Sequence, residues 1–133
     1  MQVTRFVIDS SAALYLAANA VEVSPEHELL APKLWRSHTL SAIYEAVRRG
    51  EITEDDASER LDYVNRLKIR LLGDAVLRRR AWKVAEQLDL PTTYEAEYVA
   101  LTQLQADAFV TLSADLARRV EGVVPTATVD ALV

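Results

Sequence analysis

Along this chain, short apolar runs bounded by polar residues alternate with segments of helical periodicity. TRFVI (4–8) reads as a buried strand that stops at Asp9. SSAALYLAANA (10–20) is rich in helix formers, with Ser10 or Ser11 placed as an N-cap. Residues 21–28 are polar and contain Ser24-Pro25, which predicts a loop carrying His27 at the surface. A second strand follows around Leu29–Ala31. From Leu34 to Arg49 the apolar residues Leu34, Trp35, Leu40, Ile43, Tyr44 and Val47 recur at helical spacing, and Gly50 stops the helix. Thr53 followed by three acids starts the next helix, TEDDASERLDYVNRL. IRLL (69–72) is a third strand, and Asp74 caps a basic-faced helix running through Leu88. Pro91-Thr92-Thr93 leads into a helix from Tyr94 to Gln105. AFVTL (108–112) is a fourth strand, Ala114–Val120 a short helix, and VVPTATV an edge strand, because Pro125 excludes a central one. Strand–helix alternation of this kind predicts an α/β fold, a mostly parallel sheet covered on both faces.

With 133 residues and half of them hydrophobic, the chain reads as one domain, 1–133, with enough apolar residues for a core. It has no cysteine, which excludes disulfides and thiolate metal sites and is compatible with a cytoplasmic location. Arg5 is followed too soon by Asp9 for a secretory leader, and no apolar run approaches the ~20 residues of a membrane span. A net charge of −5 excludes a globally basic nucleic-acid surface. Local clusters remain: Arg48-Arg49, Lys68 with Arg70, Arg78-Arg79-Arg80 and Arg118-Arg119. They are either solvated helix faces or, near a site, phosphate contacts.

In open parallel sheets, sites form at the carboxyl ends of strands. One strand here ends at Asp9 and another at Thr111-Leu112-Ser113, while Glu95 lies in the first turn of a helix. Carboxylates converging on one rim are the usual way to hold a hard cation such as Mg²⁺. Each residue also has a plainer reading. Asp9 and Ser113 are natural helix caps, and Glu95 suits a helix dipole.

The segments RFVIDSSAAL, APKLWRSHTLSAIYEAVRRGEIT and TTYEAEYVALTQLQADAFVTLSADLARRV resemble the PIN domain, and in particular the VapC-type toxins of toxin–antitoxin pairs. The resemblance covers nearly the whole chain. It implies a three-layer α/β/α fold and a metal-dependent endoribonuclease. It also implies an RNA substrate, Mg²⁺ or Mn²⁺ as cofactor, a homodimer and a small antitoxin protein as partner. The family's second helix is reduced to a loop, because the stretch between Asp9 and Leu34 is short. The catalytic set falls on Asp9, His38, Glu95 and Ser113, with Asp9 and Glu95 as metal ligands. Asp9, with Ser11 after it, matches the family's strand-end acid. His38 stands where the family has a Glu, Glu95 where it has an Asp, and Ser113 where it has an Asp. Glu45 and Asp115 are the nearby acids that would substitute for the missing ones. His38 is either a ligand for a transition metal, which imidazole suits better than Mg²⁺, or a histidine hydrogen-bonded to Asp9 or Glu95 without metal.

Three functions stay open: a PIN-type ribonuclease weakened or altered in metal, a degraded PIN domain that still binds antitoxin or RNA, and an unrelated α/β hydrolase with Asp9 as nucleophile. The last lacks a second acid two residues after Asp9, where Ser11 stands. Strands 4–8 and 108–112 are expected side by side and parallel, with Asp9 and Ser113 at one rim. Trp35, Tyr44, Tyr63 and Trp82 either fill the core or line a homodimer or antitoxin surface.

Overall fold

The structure, a computed structural model, describes residues 3–133. The chain runs β1 (Thr4–Ile8), α1 (Ser10–Ala18), β2 (His27–Pro32), α2 (Trp35–Arg48), α3 (Glu54–Arg66), β3 (Ile69–Leu72), α4 (Ala75–Gln87), α5 (Tyr94–Gln105), β4 (Ala108–Val110), α6 (Ala114–Arg119) and β5 (Thr126–Ala127), ending in a 3₁₀ turn, Val129–Leu132. The five strands form one sheet in the order β3-β2-β1-β4-β5, and every pairing is parallel. β1 is central. Phe6 lies between Leu29 and Ala108, and Val7 between Leu30 and Phe109. Val7, Ile8, Leu30, Phe109 and Val110 are fully buried, as strands covered on both faces require.

The helices fall into two groups. α1, α2 and α3 contact one another, whereas α4 pairs with α5, and α5 lies along β1, β2 and β4. The result is the three-layer α/β/α arrangement. Trp35 is wholly buried in the core. Tyr63 is half-buried and donates its hydroxyl to the Val21 carbonyl at 2.6 Å. Tyr44 and Trp82 stand in solvent. No helix among the described residues is long and apolar enough to cross a membrane.

Local sequence explains most element ends. Thr53 and Asp56 form a reciprocal capping box at the start of α3, and Asp74 caps α4 through the Leu77 amide. Gly50, at φ +74°, takes the left-handed position after α2 that a side chain would strain. Residues 19–26 link α1 to β2 without a helix. Three details differ from the sequence reading. β2 begins at His27 rather than Leu29, because Thr4 pairs with His27 and Arg5 with Glu28. His27 is therefore half-buried in a strand, its ring edge-on to Phe6 with centroids 5.2 Å apart. β4 stops at Val110, two residues early. Of the candidate caps of α1, Asp9, Ser10 and Ser11, the fold uses Asp9.

Candidate functional site

β1, β2 and β3 step outward in one direction, and the chain then returns to place β4 on the other side of β1. The carboxyl ends of β1 and β4 therefore flank the topological switch point, where open α/β sheets place their sites. Asp9 leaves β1 there, with its amide donating to the Val110 carbonyl at 3.4 Å.

The Asp9 carboxylate, 8% exposed, is held from three directions. Oδ1 accepts from Ser11 Oγ at 2.6 Å and from the Ala12 amide at 3.0 Å. Oδ2 accepts from Thr111 Oγ1 at 2.5 Å. A carboxylate has about four acceptor directions, so one is left. The same two hydroxyls receive the loop after β4. The Leu112 amide donates to Ser11 Oγ at 2.9 Å, and the Ser113 amide to Thr111 Oγ1 at 3.1 Å. This is why β4 ends at Val110: the next residues spend their polar groups on the start of α1.

His38 comes from the first turn of α2. Its Nδ1 is hydrogen-bonded to the Tyr98 hydroxyl at 3.2 Å, and its ring stacks on Tyr98 with Tyr94 edge-on to it. Its partner is thus Tyr98, and neither Asp9 nor Glu95. Burial holds His38 below the ordinary histidine pKa and outweighs the opposite pull of the Asp9 and Glu95 charges. Burial also pushes the Tyr98 phenol well above its usual range, with the Asp9 and Glu97 charges adding to the shift. Both side chains are therefore neutral at pH 7.

Glu95 is exposed in the first turn of α5. It lines an open cleft of about 700 Å³ together with Ser113, Asp115, Arg118 and Arg119. Ser113 Oγ accepts from the Leu116 amide at 3.2 Å and caps α6, so this hydroxyl serves the helix. Asp115 pairs with Arg118. Glu45 turns along its own helix, accepting from Ser41 at 3.1 Å and lying 4.0 Å from Arg49.

The fit to a divalent ion follows from these donors. Two positions that would carry carboxylates hold an imidazole bonded to a phenol and a hydroxyl committed to a helix cap. Asp9 offers one free direction. Among the described residues, no three His, Cys, Asp or Glu side chains stand together so as to hold a metal ion. The side chains present do not fit the metal centre that PIN domains generally use.

A scan of the sequence against protein-family models finds no match, and no curated protein matches it. Solved structures do match. PAE2754 from Pyrobaculum aerophilum superposes over 97% of this chain and 93% of its own, with a TM-score of 0.70 at 21% identity. VapBC-1 from nontypeable Haemophilus influenzae matches over 96% of this chain and 99% of its own, with a TM-score of 0.61 at 12% identity. The fold is PIN-like and resembles VapC. Within this PIN-like fold, Tyr98 is the rim residue that the sequence reading missed. It lies three residues after Glu95, one turn along the same helix, and that spacing was the available signal. In the sequence Thr111 is only part of a polar strand end, whereas in the structure its hydroxyl joins Asp9 to the loop after β4.

Proposed function

We propose that this protein is a VapC-like PIN domain that engages RNA and a small antitoxin, while its metal-dependent ribonuclease centre has become a hydrogen-bonded structural rim. The observation that carries the reading is the commitment of the rim side chains to one another: Asp9 to Ser11, Ala12 and Thr111, His38 to Tyr98, and Ser113 to Leu116. The VapC-like fold supports the toxin–antitoxin context, and Arg118 and Arg119 in the cleft beside Glu95 suit phosphate contacts. A homodimer and a cytoplasmic location belong to the same proposal. Neither Mg²⁺ nor Mn²⁺ has a step in it.

The competing reading is an active metal-dependent endoribonuclease with Asp9 and Glu95 as ligands. Two measurements on the purified protein separate them: RNA binding in a chelator, and RNA cleavage with Mg²⁺ or Mn²⁺ added. The proposal expects binding without metal and no cleavage that depends on either ion. Vigorous cleavage in Mg²⁺, abolished by Asp9→Asn, would establish the competing reading. Co-purification with the product of an adjacent small reading frame tests the antitoxin part.

A further inference from the structure

α4 carries Arg78, Arg79, Arg80 and Lys83 within six residues of a chain whose net charge is −5. All four are exposed. None takes part in an ion pair among the described residues, although pairs form at Arg5, Arg49, Arg70 and Arg118. Arg80 alone has a side-chain partner, the neutral amide of Gln103 at 3.2 Å. Beside these cations stands Trp82, 65% exposed. Helical spacing puts Trp82 one turn from Arg78 and from Arg79, so the indole adjoins the charged groups. A shallow groove of about 490 Å³ runs along the helix. Arg79, Arg80, Lys83, Gln87 and Gln103 line it with exposed Val76 and buried Val84, and no carboxylate does. Glu86 is the one acid on this arc of α4, at its C-terminal end.

Arg78 acts on the nearby Glu97 carboxylate, but Arg79, Arg80 and Lys83 have no ion-pair partner among the described residues, and unpaired cations in an acidic protein select a polyanion. An exposed indole beside Arg78 and Arg79, outside the groove itself, adds a platform on which a planar base stacks, and amides along the groove offer hydrogen bonds to base edges. An acidic peptide would satisfy the charges and leave the indole unused. We infer that the α4 face, with Gln103 of α5, binds single-stranded RNA, with Trp82 stacking on a base and Arg79 and Lys83 holding the adjoining phosphates. The choice of RNA over another single strand rests on the function proposed above. The surface is distinct from the cleft beside Glu95, which other residues line.

The test titrates the full chain with a short single-stranded oligoadenylate and follows tryptophan fluorescence. Trp35 is wholly buried, so quenching by bases reports on Trp82. Trp82→Ala, a change at an exposed position, should weaken binding about tenfold and remove the quench. Arg79→Glu with Lys83→Glu should weaken it further. It should also lower the slope of log affinity against log salt by roughly 1.4, the value for two phosphate contacts on a single strand. Arg66→Glu with Lys68→Glu, the same charge change on exposed residues of another face, should leave most of the affinity. RNA binding that keeps its affinity and salt slope in both α4 variants would overturn the inference and leave the proposed function standing. No RNA binding by the unaltered protein would overturn both. Binding of polyglutamate in preference to the oligoadenylate would overturn the inference in favour of an acidic protein segment.

Discussion

The hydroxyl of Thr111 donates to Asp9 Oδ2 across the seam between β4 and β1, joining residues 102 apart in sequence. The bond is part-buried, and its acceptor is one of three polar residues in the buried set. A hydrogen bond to a charged group in such a place contributes more than one between neutral groups, because the carboxylate has little water to turn to.

Thr111→Val keeps the shape of the side chain and removes the donor. It should lower unfolding free energy by about 2 kcal/mol, and Thr111→Ser should recover most of that loss. Urea denaturation of the three proteins measures both. Equal stability of the valine variant would mean that Asp9 does not depend on this donor.

His38 gives the rim a pH dependence of definite sign. Its pKa in the folded protein lies below the ordinary histidine value of about 6.5, mainly because of burial. The unfolded chain therefore takes up the proton first. The stability tied to the neutral ring is complete above about pH 6.5 and is lost as pH falls from there through the folded pKa. Glu97, whose carboxyl burial raises, acts in the opposite sense in its own window above the ordinary carboxylate range. Comparison with His38→Gln, which preserves a partner for Tyr98, isolates the histidine. The denaturant midpoint should fall between about pH 7.5 and about pH 5.5 in the parent, and fall less in the variant.

His38→Glu together with Ser113→Asp restores the two acids that the PIN-domain pattern would place at this rim. Aspartate is as good an N-cap as serine, so α6 should survive the exchange. Calorimetry should detect Mn²⁺ binding in the double variant and none in the parent. Divalent-dependent RNA cleavage should appear with it, and adding Asp9→Asn should remove that cleavage. Mn²⁺ binding of equal strength in the parent would mean that the rim holds a divalent ion without those two acids.

Trp35 tests the core. Trp35→Ala should cost about 3–5 kcal/mol by leaving a cavity. Trp35→Phe should cost clearly less, because the indole N–H it removes is buried without a partner. Thermal unfolding of the two variants ranks them.

The sequence made the sheet readable because its strands are compact apolar runs: TRFVI and IRLL coincide with β1 and β3. Errors arose where pairing across the sheet overrode local signals. The polar stretch before Leu29 looked like a loop, yet Thr4 and Arg5 on β1 draw His27 and Glu28 into the ladder. Asp9-Ser10-Ser11 offers three consecutive capping residues, and nothing local ranks them. The fold uses Asp9 as the cap because Ser11 is occupied by Asp9 itself and the Leu112 amide. Positions 9, 95 and 113 are legible as strand ends and a helix first turn, and position 38 through a resemblance in sequence. The partners that decide their chemistry, such as Tyr98 for His38 some 60 residues away, exist only in three dimensions.

The central position of β1 has a consequence for how the protein is made. β1 leaves the ribosome well before β4 and must wait for it to complete its second edge, since β4 lies about a hundred residues behind it. Contacts so distant in sequence are slow to form and leave intermediates exposed in the meantime. Until Thr111 has been synthesised, Asp9 has only its local donors, Ser11 and the Ala12 amide, β1 has one open side, and the rim is incomplete. A nascent chain is thus unable to present this site to any partner, and the protein acquires its surface there in a single late step.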